Sequence, residues 1–313
     1  MVDLNFRFLE SPDDMQAAED LQRQVWAGSE TEIVPAHLLI AAVRNGGLAI
    51  GAFDEPSQAF EQPGPAPADL IGLVFGFPGV YATPDGPRQK HISHLLGVRP
   101  EYRDRGVGFA LKRAQWQMVR RRGVDRITWT FDPLLSRNAH LNIARLGAVC
   151  NTYWRNYYGE MRDGLNVGLA SDRFELDWWV NSKRVNRRLS RKPRVRLDLA
   201  HYLAAETPIV NATEVDKDGW PRPVEGADAD FLLRLAQTTS KLSANDALLL
   251  VEIPSNFLAL KKADPELAQT WRLHARTLFE GLFGLGYLVT DFVHLAGNLA
   301  RSFYVVSHGE STF

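Results

Sequence analysis

The chain of 313 residues has a formal net charge of −1 at pH 7, which provides no bulk attraction to nucleic acid or to an anionic membrane. Its length allows two domains or one enlarged domain, and its single cysteine, Cys150, excludes an internal disulfide framework. Because no Cys/His metal spacing, long apolar span or signal sequence occurs, we expect no metal and a cytoplasmic location.

Helices and strands are both predicted in the first part of the chain. Ser11 suits a helix N-cap and Pro12 the first helical position, so a helix is predicted from there to Trp26. The elements predicted next are a short helix at 35–43 and strands at 48–53 and 70–77, with a loop rich in Pro, Gly and Ala at 55–69.

The segment 93–115, "SHLLGVRPEYRDRGVGFALKRAQ", predicts a strand, a tight loop and a helix. Residues 92–98 are apolar enough for a buried strand, which Pro100 ends because proline lacks a backbone donor. A helix then begins near Gly106 and ends before Gly123. The N-terminus of such a helix suits an anion such as a phosphate, and a solvated, arginine-rich turn is the alternative. The apolar stripe of this helix is predicted at Val107, Ala110, Leu111, Ala114 and Met118.

Two common phosphate-binding motifs do not fit this loop. No Gly-Lys-Ser/Thr follows the glycines, which excludes a Walker A motif, and the GxGxxG pattern of dinucleotide-binding proteins is incomplete.

The rest of the chain predicts further α/β structure. Asp264 suits an N-cap and Pro265 the first position of a long helix ending near residue 285. The other predicted elements are strands at 125–131, 149–158, 173–180 and 247–257, a helix at 136–146, and strands at "GYLVTDFVHL" and "ARSFYVVS". The basic run at 183–196 is interpreted as an exposed connector, with a contact to the phosphate groups of a ligand as the functional alternative and nucleic-acid binding as the third interpretation.

The loop resembles a known family signature. Residues Arg103-Asp104-Arg105-Gly106-Val107-Gly108 are similar to the (Arg/Gln)-x-x-Gly-x-(Gly/Ala) motif of the GNAT superfamily of acyl-CoA-dependent N-acyltransferases. The preceding 96–102 resembles that family's approach to the motif, and the order of elements over 4–180 matches its layout. The larger bacterial members also resemble this chain in "SH-x-L-G-V-x-P-x-Y-R", "N-Y-Y-G" and "V-E-I-P".

The resemblance implies a coenzyme A site. The loop amides of 103–108 would hold the pyrophosphate, and the strand backbone at Leu96, Gly97 and Val98 would hold the pantetheine arm and the acyl carbonyl. Some members carry a histidine at the position of His94. Many use a tyrosine as general acid, but the matching position here is Ile143.

Acyl transfer to an amine needs a base and, in many enzymes, an acid for the thiolate. His94 is the candidate general base because imidazole titrates near neutral pH, whereas a satisfied core histidine is the alternative. His91, three residues away, is expected on the opposite face of the strand. Substitutes for the missing acid, or residues that position the substrate, are Asn142, His140, Tyr153, Tyr157 and Tyr158.

Substrate contacts are harder to assign. Asn138 and Asn142 lie four residues apart and are expected to share a helix face, where they could bind the pantetheine or the substrate. Arg155 would suit an acceptor carboxylate, although a surface position is the alternative.

We therefore predict an α+β fold with a GNAT-like mixed, mostly antiparallel central sheet flanked by helices. The predicted domains are 1–182 for acyl transfer, 183–196 as connector, and 197–313 as an α/β region that extends the sheet or covers the acceptor site. A degenerate half-copy of the acyltransferase unit is one interpretation of this last region. The predicted function is N-acetyl transfer from acetyl-CoA to a small-molecule amine. N-succinyl transfer to a free amino acid and a non-catalytic CoA-binding sensor stay open, as does a homodimer.

Overall fold

The computed structural model describes residues 4–26, 30, 33–54, 70–159, 168–190, 196–211, 213–238, 248–297 and 300–308. The predicted loop at 55–69, residues 191–195 of the basic connector and the first residue of the strand predicted at 247–257 lie outside this set. By their internal contacts the described residues form two compact units: 4–129 with 179–181, and 130–159, 168–178 and 182–308. The predicted functional division at residue 182 stays a prediction.

The first unit is a sheet with helices packed on it. Its strands follow the order β1-β2-β3-β4-β5, antiparallel except for the parallel pair β4 and β5. Its elements are β1 (Asn5–Phe8), α1 (Pro12–Val25), α2 (Ala36–Arg44), β2 (Leu48–Phe53), β3 (Leu70–Thr83), β4 (Gly86–Val98), a 3₁₀ turn (Pro100–Tyr102), α3 (Val107–Arg121) and the beginning of β5 (Arg126–Phe131).

Local signals determine the helix boundaries here. Ser11 accepts a hydrogen bond from the Asp14 N–H, and the Asp14 carboxylate accepts one from the Ser11 N–H, so the predicted N-cap of α1 is confirmed as a capping box. Pro12 occupies its first turn. The predicted strand at 48–53 is confirmed, whereas β3 and β4 extend beyond their predicted bounds as a long hairpin.

The core of the first unit lies between α1, α2 and the sheet. Its buried residues are Leu9, Met15, Ala18, Leu21, Leu39, Ala49, Phe53, Leu70, Leu73 and Phe75. Side chains alternate between the two faces of a strand. The buried residues of β3 in this list therefore show which face of the sheet α1 and α2 cover.

The strands of the second unit follow the order β7-β6-β11-β12-β10 and pair antiparallel, and β8 and β9 form a hairpin apart from them. Its elements are α4 (Ser136–Ala139), a π-helix (His140–Arg145), β6 (Val149–Trp154), β7 (Arg173–Trp179), α5 (Lys183–Arg188), α6 (Leu199–Ala204), β8 (Thr213–Val215), β9 (Pro221–Pro223), α7 (Ala227–Thr238), β10 (Leu248–Ile253), α8 (Phe257–Ala263), α9 (Pro265–Gly284), β11 (Tyr287–Leu295) and β12 (Arg301–His308).

The predicted fold class, α+β with a mostly antiparallel sheet, is confirmed. The Asp264 side chain caps α9 as predicted. The half-copy stays a prediction, and one difference bears on it: β12 lies between β10 and β11, whereas the corresponding β4 and β5 are neighbours. In the described part of the chain, no helix has the length and apolar content needed to cross a membrane.

A buried ion pair joins two elements of the second unit. The Arg272 guanidinium on α9 donates to both carboxylate oxygens of Asp132, at 2.9 and 2.5 Å, and Arg272 is 1% exposed. Asp132 also accepts from the Leu134 N–H. Each charge is therefore stabilised mainly by its partner.

We expect Asp132→Ala to lower the free energy of unfolding by about 3–5 kcal/mol, because it leaves the Arg272 charge buried without its carboxylate. Urea denaturation of the purified protein measures this loss. As a control, Asp20→Ala removes an exposed partner of Arg23 and should cost at most about 1 kcal/mol. An equal, small effect of both substitutions would contradict the assigned role of the buried pair.

Candidate functional site

The turn after β4 places the N-terminus of α3 at the end of the strand. The chain leaves β4 at Val98, forms the 3₁₀ turn, and passes through two residues with positive φ, Asp104 at 63° and Gly106 at 85°. Left-handed residues in a tight turn direct successive N–H groups toward a shared concave face, which suits an anion. The predicted strand, tight loop and helix are thus confirmed.

Side chains of the loop hold it against the first unit. The Arg103 guanidinium donates to the Val98 carbonyl at 3.2 Å and to the Val25 carbonyl at 3.4 Å, which ties the loop to the end of α1. The Tyr102 hydroxyl donates to Asp54 at 2.7 Å. Arg103 therefore holds the loop in place. The candidate anion-binding groups of the turn are its backbone N–H groups.

Gly106 is the N-cap of α3, and it offers no side-chain oxygen to the first turn. The first described intrahelical bond runs from the Ala110 N–H to the Gly106 carbonyl, so the N–H groups of Val107 and Gly108 precede it. No acidic residue occupies this first turn. The helix dipole and these amides together favour a bound negative charge.

β4 carries a bulge at His94 and diverges from β5. Gly76 is opposite Ser93 and Phe75 is opposite Leu95, which leaves His94 as the extra residue. In the described part of the chain, β4 and β5 pair only at His91 with Ile127 and Ile92 with Thr128. The β4 edge at 93–98, including Leu96, Gly97 and Val98, is therefore not bonded to β5.

The His94 ring lies against aromatic side chains on the face covered by α1 and α2. Its centroid is 5.7 Å from that of Phe77 and 6.3 Å from that of Phe75. The ring keeps contact with solvent, yet burial against these neighbours lowers the pKa of His94 below its ordinary value of 6.5. At neutral pH the imidazole is therefore neutral and able to accept a proton.

The opposite face of β4 carries a polar network that sequence reasoning missed. Lys112 of α3 is 1% exposed and donates to Ser93 Oγ at 2.9 Å and to Gln115 Oε1 at 3.1 Å. Its ammonium lies 3.6 Å from the centroid of the Trp129 ring, and burial lowers the pKa of Lys112 well below its ordinary value. Gln115 also contacts His91, which confirms that His91 and His94 lie on opposite faces.

The buried stripe of α3 differs from the predicted one. Ala110, Ala114 and Met118 are only partly buried, and Lys112 and Gln115 take core positions. Lys112 and Gln115 follow the same helical spacing as the buried apolar residues of α3, and this spacing is the signal that could have located the network. The observed buried stripe is Val107, Leu111, Lys112, Gln115, Trp116 and Val119.

Tyr153, proposed as an acid or positioning residue, belongs to a hydrogen-bonded network in the second unit. Its hydroxyl donates to Asp172 at 2.9 Å, and Asp172 also accepts two bonds from Arg276 and one from the Asn156 N–H. Burial and the Asp172 charge raise the pKa of Tyr153 above its ordinary value. A tyrosine in this state is a weak proton donor, so the network suits positioning better than acid catalysis.

Tyr157 and Tyr158 lie on the turn after β6, whereas they were predicted on a strand. The chain turns at Asn156, whose φ is 46°. Asp172 accepts a hydrogen bond from the Asn156 N–H, and the Ser171 hydroxyl accepts one from the Tyr158 N–H and donates one to the Asn156 side chain, so both residues hold the turn. The Tyr158 hydroxyl is 2.9 Å from Thr130 Oγ1. Tyr157 and Tyr158 are both about half exposed, so they lie at the surface.

Arg155, the predicted contact for an acceptor carboxylate, already has a carboxylate partner. Its Nε and Nη2 donate to the two Glu280 oxygens at 2.6 and 2.5 Å. An incoming carboxylate would have to displace Glu280, and the assignment of Arg155 stays a prediction.

The asparagines lie on a helix whose geometry changes between them. Asn138 belongs to α4 and is partly exposed, whereas Asn142 belongs to the π-helix and is buried. A π-helix has wider turns than an α-helix, so a spacing of four residues no longer places both side chains directly on one face. Burial and the Arg196 and Arg145 charges lower the pKa of His140 to about 4.

The turn after β4 leaves room for an anionic group such as a diphosphate. A Cβ at Gly106 would meet no protein atom within 4 Å, so its side-chain position is open to an approaching ligand. Among the described residues, no group of three or more His, Cys, Asp or Glu side chains is arranged to hold a metal ion.

No family model and no curated protein matches the chain. Solved structures do match, among them Arabidopsis thaliana NAA60 in complex with acetyl-CoA, at 18% identity and a TM-score of 0.44 over 57% of this chain and 99% of that chain. The ribosomal-protein-S18-alanine N-acetyltransferase from Escherichia coli is 16% identical, with a TM-score of 0.40, over 57% and 95%. Aminoglycoside 6'-acetyltransferase type Ii is 15% identical, with a TM-score of 0.40, over 57% and 98%. At such low identities and TM-scores, these similarities assign no substrate to this chain.

Proposed function

We propose that this protein is an acyl-CoA-dependent N-acyltransferase. The observation that carries the proposal is the uncapped N-terminus of α3, preceded by the left-handed Asp104 and Gly106, at the end of a bulged strand whose edge is not bonded to β5. A diphosphate suits the amides of the turn. An extended arm with amide groups suits the β4 edge at 93–98, because strand edges recognise extended chains by backbone hydrogen bonds.

The predicted cofactor-binding residues can be divided by what they would supply. Asp104, Arg105, Gly106, Val107 and Gly108 would bind phosphate through their N–H groups, and Arg103 would hold the loop in shape. An acyl-CoA supplies an activated acyl group and a thiolate leaving group. Because the coenzyme A thiol has a pKa near the cysteine value of about 8.5, the thiolate can leave without a strong acid.

His94 would remove the proton from the acceptor ammonium, directly or through one water. His94 is the extra residue of the β4 bulge, so no residue of β3 lies directly opposite it. The lowered pKa of His94 keeps the imidazole neutral at neutral pH. A neutral base beside the strand edge is what amine activation requires.

The acceptor is proposed to be a primary amine of a small molecule, with a free amino acid and a succinyl donor as the alternative. Matching solved structures are named for a protein acceptor and for an aminoglycoside, so peptides with free N-termini belong among the tested acceptors. A CoA-binding sensor without turnover is the second candidate, and the Tyr153 hydroxyl held by Asp172 favours it because no free tyrosine acid is then available there.

The proposal is tested by calorimetric titration with acetyl-CoA, succinyl-CoA and free coenzyme A, followed by a thiol-release assay. Acceptors are pooled amines, amino acids and short peptides. We expect binding of at least one acyl-CoA and thiol release that depends on both substrates. Binding without release from any pool would support the sensor, and no binding by any of the three ligands would refute the assignment of the turn.

A further inference from the structure

Lys112 is a buried titratable side chain to which the acyl-transfer chemistry described above assigns no role. It belongs to a polar network between α3 and β4, which we call the Lys112 network and which comprises His91, Ser93, Lys112 and Gln115. All four side chains are buried, and the Lys112 ammonium also lies over the Trp129 ring. A buried polar network is costly unless its members are hydrogen-bonded, so its geometry constrains the elements that carry it.

The hydrogen bonds of the Lys112 network have defined directions. Ser93 Oγ accepts from Lys112 Nζ and donates to Gln115 Oε1, both at 2.9 Å. Because Gln115 Oε1 also accepts from Lys112, the amide NH2 of Gln115 faces His91 and donates to its Nε2 at 3.1 Å. Burial and the Lys112 charge lower the pKa of His91 to about 3, so its imidazole is neutral and able to accept. Side chains of α3 therefore hold β4 at residues 91 and 93.

The Lys112 network ends where the bulge of β4 begins. Ser93 is the last residue before the register shift, His94 is the extra residue, and Leu95 resumes the pairing with β3. The His94 ring lies against Phe75 and Phe77, and Leu95 packs on the core that contains Phe75. Two successive residues of β4 thus lie on the face covered by α1 and α2, whereas a regular strand would place them on opposite faces.

Hydrogen bonds on the α3 side of β4 determine which residue becomes the extra one. Side chains alternate along a strand, so a slip of one residue would take Ser93 away from Lys112 and Gln115. With Ser93 held on the α3 side, His94 is the next residue and enters the bulge on the other side. The direction of the imidazole therefore depends on contacts made on the opposite face of the sheet.

The same contacts join the two elements of the proposed site. α3 begins at Val107, directly after the turn that is proposed to bind the acyl-CoA, and Lys112 lies in the second turn of this helix. β4 carries His94, the proposed general base. Both elements belong to the first unit. A change in the Lys112 network would therefore move the base relative to the acyl donor.

We propose that Lys112 is a positioning residue for His94. By holding Ser93 on the α3 side of β4, it keeps the bulge at His94 and fixes the direction of the imidazole. Gln115 supports this role, because it binds both Lys112 and Ser93. The inference rests on the proposed function, since it needs His94 as the general base.

The first test is Lys112→Met in the full-length protein. Methionine is a flexible side chain of similar length that donates no hydrogen bond, and it removes a buried charge, so the variant should fold. We expect kcat of thiol release to fall about 10- to 100-fold, because a displaced base loses its alignment with the amine. Acetyl-CoA affinity measured by calorimetry should stay unchanged, since the N–H groups at the start of α3 are untouched. A purely structural role would lower only the melting temperature.

The position of the imidazole is measured by NMR, independently of turnover. In the wild-type protein the His94 and Phe77 rings, with centroids 5.7 Å apart, should give nuclear Overhauser cross-peaks between their ring protons. Lys112→Met should weaken these cross-peaks. Ser93→Ala removes the hydroxyl without a change of charge and should weaken them too, whereas Ser93→Thr keeps the hydroxyl and should preserve them.

The two measurements separate the two proposals. Absence of thiol release by the wild-type protein would refute the proposed function, and the cross-peaks would still decide whether Lys112 positions the ring. Unchanged cross-peaks in both Lys112→Met and Ser93→Ala would refute the positioning role, even in a protein that turns over substrate. Wild-type kcat in both variants would refute it as well.

The matched control is Trp116→Phe on the same helix. The Trp116 indole N–H donates to the Val180 carbonyl at 2.9 Å, so this substitution also removes a buried hydrogen bond of α3. It should leave kcat and the His94 cross-peaks unchanged. Equal losses in Trp116→Phe and Lys112→Met would mean that only the general packing of α3 matters, which overturns the proposal.

Discussion

Gly106→Val is expected to lower acyl-CoA affinity by about a hundredfold or more, because it displaces at least two charge-assisted hydrogen bonds to phosphate. The valine Cβ would occupy the open side of the N-cap, where no protein atom lies within 4 Å. The φ of 85° also disfavours a β-branched residue, at a cost on the order of 1–3 kcal/mol. Calorimetric titration of the variant with acetyl-CoA measures the loss.

The control for this variant is Gly123→Val, just beyond the other end of α3. Gly123 also has a positive φ, 76°, and a Cβ there would meet no atom within 4 Å. Both substitutions should reduce stability to a similar extent, whereas only Gly106→Val should reduce affinity. Wild-type affinity in Gly106→Val would show that the turn is not the acyl-CoA site.

His94→Gln is expected to lower kcat by about 10² to 10⁴, the usual contribution of a general base, while acyl-CoA affinity stays unchanged. In the wild-type enzyme, activity should fall as pH decreases through the His94 pKa, because the protonated imidazole cannot accept a proton. Since the His94 pKa is lowered, this fall should lie below pH 6.5. Rates of thiol release across pH 5–9 measure both effects for wild type and variant.

His37→Gln is a suitable control, because His37 is an exposed histidine in the same unit. It should leave both kcat and the pH profile unchanged. If His94→Gln retained the wild-type rate and profile, His94 would be removed from the mechanism, and the binding of acyl-CoA by the turn would be unaffected by that result.

The strongest sequence predictions rest on local chemistry. Ser11 and Asp264 cap their helices as expected, since an N-cap needs only a side-chain oxygen and the next three residues. The turn at Gly106 was predictable for the same reason, because strand, proline, glycine and helix signals are consecutive in the chain. Long-range partners carry no such signal, and the pairing of Arg155 with Glu280 could not be inferred from the residues around Arg155.

The tertiary structure decided which groups in and around the candidate site are available. The β4 bulge at His94 depends on the register with β3, and register is a property of two strands. Lys112 is buried because α3 turns that face toward the sheet, where Ser93, Gln115 and Trp129 receive its ammonium. The strand predicted at 149–158 ends at Trp154 because Asp172 and Ser171, well separated along the chain, bind the turn at Asn156.

The sequence by itself determined the α+β class, the main helix boundaries and the strand, turn and helix around Gly106, because caps, glycines and hydrophobic periodicity act over a few residues. The tertiary structure alone decided the lowered pKa of His94, the partner of Tyr153 and the burial of Lys112. These properties depend on burial and on charges brought together from distant segments, since desolvation and Coulomb energies are set by distance in space.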